Sequence, residues 1–265
     1  MGKQTEWTLR EVASWTKDES PVSIPSLQRG LVWKPQQVEL LWDSILRQFP
    51  IGTFTLADSV DGNQPYSLLD GQQRWNAISS GFGVCSSDTQ TSRTILWFDL
   101  KPELVWDSSK TTRRFFIRAT TKAHPWGYLA DDDCSRLNTA QKRDALIELG
   151  FGDKNIFHDG ICLSETYPIK SGCPLPLYWF LDAGEKAQNQ NEFTQLILRR
   201  IKGNVTDKSF RLKAEDIDEN TIAQYYKVFK AVSSYTVPTI YLEQSVIDQE
   251  SETEKTIDDQ KFTDI

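Results

Sequence analysis

Histidine is nearly missing from this chain of 265 residues, which holds only His124 and His158. A metal centre built from several imidazoles and carboxylates cannot be assembled from two histidines so far apart. Cutting of DNA by this chain alone is therefore not expected. Cysteine is also scarce: Cys85, Cys134, Cys162 and Cys173 show no Cys-x-x-Cys spacing. That argues against a zinc ribbon or a disulfide frame and for reduced, partly buried thiols. No stretch approaches the ~18 apolar residues of a membrane span, and Met1 to Arg10 lacks the apolar core of a signal peptide. A cytoplasmic location without a membrane partner is the expectation. Internal repeats and heptads are missing too.

Negative charge is abundant but unevenly placed. The net charge is −7, and residues 241–265 carry eight acidic residues against two basic ones. The tail thus accounts for most of the imbalance, and its low apolar content suits disorder. In the near-neutral remainder, Lys110, Arg113, Arg114, Arg118 and Lys122 form a basic stretch free of acids, interleaved with Phe115 and Phe116. Such a stretch can hold a phosphate backbone through Arg113, Arg114 and Arg118; a solvated strand edge is the competing reading. A second stretch runs from Arg199 and Arg200 through Lys202, Lys208 and Arg211 to Lys213. It reads more simply as cations at a helix C-terminus.

The densest chemistry lies at Leu68-Leu69-Asp70-Gly71-Gln72-Gln73-Arg74. An apolar run empties through Asp-Gly into a helix-compatible segment, which places free N–H groups and a positive helix end at one point. Gln72, Gln73 and Arg74 add amide and guanidinium donors, and arginine suits bidentate contact with phosphate. The ordinary alternative is Asp70 as a helix cap. A second Gln-Arg pair, Gln28-Arg29, stands upstream before Trp33. Pro35 then opens an amphipathic helix with Val38, Leu41, Trp42, Ile45 and Phe49 on its buried face. Pro50-Ile51-Gly52 stops it, and Thr53 to Ala57 reads as a strand. Two Gln-Arg pairs at loop-to-helix joints suit the two sides of an anionic ligand, most simply a nucleotide.

These residues resemble a known family. Gln28-Arg29 with Val32-Trp33, Leu41 to Ile45, Pro50-Ile51-Gly52, Leu69 to Arg74 and His124-Pro125-Trp126-Gly127 match in order and approximate spacing. They are similar to the N-terminal domain of GmrSD-type, modification-dependent (type IV) restriction enzymes and of related phosphorothioate-sensing defence proteins. The resemblance covers roughly residues 5 to 245. It implies a ParB/sulfiredoxin-like fold, nucleotide binding with hydrolysis (GTP among others), and coupling to restriction of modified phage DNA. A C-terminal nuclease domain or a partner subunit would do the cutting. After Arg74 the family commonly has Leu then Thr, whereas this chain has Trp75-Asn76.

The fold class expected is α+β. It comprises a small mixed sheet with helices over residues 1–122, a mainly helical extension packed on it over 123–242, and the acidic tail 243–265. Asn138 or Thr139 can cap a helix toward Leu149. Phe193, Leu196, Ile197 and Ile201 form one helical stripe; Ile222, Tyr225, Tyr226, Phe229 and Val232 form a longer one. Thr236 to Leu242 contains Pro238 and reads as an edge strand or an extended linker. Leu175 to Leu181 is an apolar connector into a helix. Trp33 and Trp126 are placed where an indole can stack on a base, and His124 can contact a ligand or donate a proton. Two functions stay open. In one, a nucleotide-hydrolysing sensor holds phosphates on Gln28, Arg29, Gly71, Gln72, Gln73 and Arg74. Asp70 there positions water or a Mg²⁺ ion, and Gln73 and Arg74 serve catalysis. In the other, a non-hydrolysing ParB-like module binds DNA and uses the nucleotide as a switch.

Overall fold

A computed structural model describes residues 4–16, 20–24, 33–59, 64–83, 94–107, 109–121, 123–148, 166–203 and 217–242. The predictions for Gln28, Arg29, Cys85, Lys122, His158, Cys162, Lys208, Arg211, Lys213 and the acidic tail lie outside them. The class is mixed α+β, as the sequence implied. In chain order the elements are β1 (Glu6–Thr8), α1 (Leu9–Ala13), β2 (Val22–Ser23), α2 (Pro35–Leu46), β3 (Phe54–Asp58) and β4 (Tyr66–Asp70). Next come α3 (Gln72–Gly81), β5 (Ile95–Asp99), β6 (Ile117–Thr120), α4 (Thr139–Glu148), β7 (Pro174–Pro176) and α5 (Leu177–Lys186). The last are α6 (Gln190–Gly203), α7 (Glu219–Ala223), α8 (Tyr226–Ser233) and β8 (Thr236–Leu242).

Two sheets form. The larger runs β1-β8-β3-β4-β2 and the smaller β6-β5-β7. The position of β8 corrects the expectation of an edge strand or linker: it pairs antiparallel with β1 and parallel with β3. Proline is ordinarily kept out of central strands because it cannot donate to the ladder. Pro238 escapes that rule because β3 begins to pair only at Thr239, so at Pro238 the strand has β1 alone beside it. The smaller sheet went unread in the sequence. Its strand β5 is the apolar run Ile95-Leu96-Trp97-Phe98, and β7 occupies the start of the supposed connector.

Helix periodicity was the better guide. Val38, Leu41, Trp42 and Ile45 are buried on α2 as predicted, but Phe49 is 47% exposed. The helix ends at Leu46, and Gln48 takes a positive φ of 61° that turns the chain away. The Phe49 ring is covered instead by the Arg47 guanidinium at 4.3 Å. Asn138 and Gln141 exchange capping bonds of 2.9 Å at the start of α4. The stripe from Ile222 to Val232 is divided between α7 and α8. One apolar core draws on residues from Trp7 to Val237, so strands of the larger sheet and helices α5, α6 and α8 share it. At its centre Phe98 of β5 meets Phe180 of α5 at 5.1 Å and Phe229 of α8 at 5.2 Å.

Helix α2 also buries two acids that its apolar pattern gave no reason to expect, Glu39 and Asp43. Glu39 Oε2 accepts from Arg113 Nη1 at 2.6 Å and from Cys134 Sγ at 3.0 Å, while Oε1 accepts from Ala119 N at 2.9 Å. Asp43 Oδ1 accepts from the backbone N–H groups of Arg114 and Phe115 at 3.1 and 2.8 Å. The two carboxylates, one helical turn apart, therefore grip the segment leading into β6. A third buried acid, Asp99, accepts from Lys101 N, Gly172 N and Cys173 N at 3.2, 2.9 and 2.7 Å.

Removing one partner of a buried pair leaves an uncompensated charge, which costs about 3–5 kcal/mol. Glu39→Ala is expected to lose stability on that scale in urea unfolding, and Glu39→Met with Arg113→Met to lose clearly less. Equal losses would show that packing and not charge sets the cost. A second expectation concerns Asp182, which Arg10 and Arg200 hold at 2.6 and 2.9 Å. Burial pushes its carboxyl up, but bonds and charge from the two arginines outweigh this and leave it below its usual range. With the folded pKa below the unfolded one, this contribution is present above the unfolded pKa and is lost as pH falls through the folded value. Asp182→Asn should therefore flatten the acid limb of the stability curve.

Candidate nucleotide site

Strand β4 delivers the motif. Leu68 is buried opposite Leu56 of β3, and the register slips between Thr55 and Leu56, so that Asp70 stands opposite Thr55. The chain then turns at Gly71, with φ at 102°, and enters α3 directly. A side chain would be strained there, and its Cβ would press into the Phe54 ring. Gly71, not Asp70, is the residue at the helix cap; no side chain caps α3, and its first turn holds no acid. The N–H groups of a first helical turn have no partner within the helix. With the helix dipole they make a positive end that suits an anion.

The side chains around that end differ in their engagement. Asp70 is 75% exposed, and its Oδ2 accepts from Arg74 Nη2 at 3.2 Å. Arg74 also donates from Nη1 to the Ile51 carbonyl at 3.1 Å, and its side chain is only 18% exposed. Gln72 and Gln73 are half-buried in the first turn. Gln73 Oε1 accepts from Trp33 N at 3.4 Å. Strand β2 pairs parallel with β4 through Ser23 and Ser67. The described residues on either side of Gln28-Arg29 therefore both adjoin β4 or α3. Asp70, Gly71, Gln72, Gln73, Arg74 and Trp33 are brought together. Trp75 is buried in the main core.

His124 and Trp126 lie elsewhere. They follow β6, where Thr121 and His124 exchange backbone bonds of 3.1 and 3.0 Å. Trp126 is 5% exposed and packs in a small separate cluster with Leu137, Ala145 and Ile169. That corrects its reading as an open stacking platform: its indole is already covered by the protein. Burial, then the charges of Arg136 and Lys142, push the His124 imidazole below its ordinary pKa. It is neutral at neutral pH and adds no positive charge for phosphate.

The basic stretch is also corrected. Arg113 is paired inside with Glu39, and its side chain is 1% exposed. Arg118 is buried and donates to the carbonyls of Tyr128 and Ile169. A guanidinium in the interior cannot lie along a DNA backbone. Of the predicted trio only Arg114 is exposed. Two of the charges that looked like a cationic face thus turn inward, Arg113 to an acid and Arg118 to carbonyls, while Lys110 and Arg114 stay at the surface. Burial pushes the Cys134 and Cys173 thiols up to about 12, which keeps them protonated and inert. Among the described residues no three His, Cys, Asp or Glu side chains gather as a metal site, and no helix is long and apolar enough to cross a membrane.

The geometry at Gly71 gives a direct expectation. Gly71→Ala combines a positive φ with a clash against Phe54, and a strained position of this kind costs on the order of 1–3 kcal/mol. The variant should unfold at lower temperature than the unchanged protein. An unchanged melting temperature would mean that the turn relaxes freely and does not fix the start of α3.

Comparison with curated proteins gives no match. A family model does match, described as the N-terminal domain of the GmrSD restriction endonuclease, and it runs over residues 12–261. That span includes the β4–α3 turn with all of Asp70 to Arg74, and the Trp33 and Gly52 positions beside it. By this match over nearly its whole length, the chain belongs to the family of GmrSD restriction endonuclease N-terminal domains.

Proposed function

We propose that this restriction-system domain binds a nucleoside triphosphate at the start of α3 and hydrolyses it, GTP being the first candidate, as the sensor of a modification-dependent defence against phage DNA. The observation that carries the reading is the helix N-terminus left open by Gly71, with Gln72 and Gln73 in its first turn and no acid there. Phosphoryl transfer depends on positioning and charge neutralisation more than on covalent chemistry by the protein. Neutral donors and a helix dipole supply both. Trp33, held to Gln73, stands close enough to the motif to border a base. Asp70 fits the metal such a reaction commonly uses. It is an exposed carboxylate at the phosphate end, and a hard cation takes oxygen ligands from protein and phosphate together. A bound Mg²⁺ would supply charge neutralisation, and Asp70 would hold it.

A second reading, a ParB-like DNA-binding module that uses nucleotide as a switch without turnover, draws on one observation. Asp70 already bonds Arg74, so its carboxylate serves the fold and is not reserved for water. Contact with DNA in either reading falls to Arg114 among the predicted arginines, and the nuclease chemistry to a C-terminal domain or partner.

A thermal-shift panel with GTP, ATP, CTP and UTP in Mg²⁺ tests the proposal, because a ligand of the native state stabilises it by mass action. At 100 times its dissociation constant the best nucleotide should contribute about 2.7 kcal/mol. No shift with any of the four would sink the reading. Asp70→Ala should keep a thermal shift, reduced by the loss of its bond to Arg74, and lose multiple turnover. Turnover at the unchanged rate would remove Asp70 from the chemistry.

A further inference from the structure

We infer that Arg74 is a positioning residue of this site: it builds the platform from inside the protein and leaves the phosphates to neutral donors. This deepens the nucleotide reading above and rests on it. A guanidinium that clasps phosphate presents its forked terminal nitrogens outward. In Arg74 each terminal nitrogen already holds a protein acceptor, Nη1 the Ile51 carbonyl and Nη2 the Asp70 carboxylate. The guanidinium carbon also sits 5.4 Å from the centre of the Phe54 ring. Two glycines make room for the group. A Cβ on Gly52, whose φ is 88°, would lie 2.6 Å from Nη1, and one on Gly71 would lie 3.4 Å from Nη2. The side chain thus occupies a slot shaped for it, more covered than the Asp70 it orients.

The clamp has two ends. One sets Asp70 and the first turn of α3. The other grips the turn at Ile51-Gly52, just after Phe49, whose carbonyl accepts from the Tyr235 hydroxyl at 2.7 Å. Losing the clamp therefore loosens the whole floor of the site. The effect falls equally on every ligand that rests there, whatever its number of phosphates. Direct contact with a terminal phosphate would instead favour the triphosphate selectively.

The test compares the unchanged chain with Arg74→Lys and Gly52→Ala. The probes are the triphosphate with the largest thermal shift and its diphosphate, both titrated calorimetrically. Gly52→Ala displaces Nη1 without altering any group assigned to the ligand. Each variant should weaken triphosphate and diphosphate by the same factor, roughly tenfold for the loss of a charge-assisted bond. The inference is overturned if Arg74→Lys penalises the triphosphate alone while Gly52→Ala changes neither affinity; nucleotide binding would stand and Arg74 would touch phosphate. It is equally overturned if both variants lower the melting temperature and leave affinities unchanged, as a purely structural residue would. If the unchanged chain binds no nucleotide, the functional reading fails separately. The clamp is then judged by proton exchange at the Arg74 guanidinium, measured by NMR without ligand. Slow exchange that becomes fast in Gly52→Ala supports it, and fast exchange in the unchanged chain overturns it.

Discussion

The ion pair between Glu39 and Arg113 is the constraint on which the rest of this structure leans. Both side chains are 1% exposed, and two charges so far from water are tolerable only when close pairing and further hydrogen bonds offset the lost hydration. Cys134 and the Ala119 backbone complete the set around Glu39. The pair fixes the approach of α2 to β6, and α2 in turn carries α3: Trp42 Nε1 donates to the Ala77 carbonyl at 2.9 Å. The orientation of the Asp-Gly-Gln-Gln-Arg turn is thereby linked to a charge pair on other elements. Cys134 reaches Glu39 from a backbone with a positive φ of 49°, an uncommon conformation for a residue other than glycine.

How much of this was legible depended on which period the residues obeyed. Val38, Leu41, Trp42 and Ile45 obey the helical period over a continuous run and were read correctly, as were Phe193, Ile197 and Ile201. The sheet containing β5 was not, because Leu96 to Phe98 is buried on both faces and so shows no alternation to distinguish it. Strand β8 misled for a different reason. Proline argues against a central strand on average, and only the stagger between β1 and β3 shows that this proline falls where one side is still vacant.

Charge was harder to read than hydrophobicity. A run of arginines without acids looks like a surface from the sequence, since Glu39, which takes the Arg113 charge, and Asp43, which accepts from the Arg114 backbone, lie more than seventy residues upstream. No local pattern reports a partner at that distance. The turn at Asp70 to Arg74 was legible as a place, because Asp-Gly after an apolar run has few other meanings. It was less legible as a set of roles. Arginine beside glycine suggests an open phosphate clasp, yet glycine here clears space for arginine to fold back on the protein. The two acids on α2 gave no signal of their own: by the helical period both fall off the stripe of Val38, Leu41, Trp42 and Ile45, where a carboxylate ordinarily meets solvent.

The central place of β8 has a kinetic side. Strands β1 and β3 do not pair with each other; they are joined through β8, which begins at Thr236. During synthesis β1 and β3 leave the ribosome with their shared partner not yet made. At ~5–20 residues per second the delay is on the order of ten seconds or more. Throughout it the inner edges of β1 and β3 carry unpaired backbone groups, the feature by which strands recruit foreign chains. Closing a sheet across so long a loop is also slow for reasons of contact order. The chain therefore spends its early life as an open template, and its exposure ends with the arrival of seven residues.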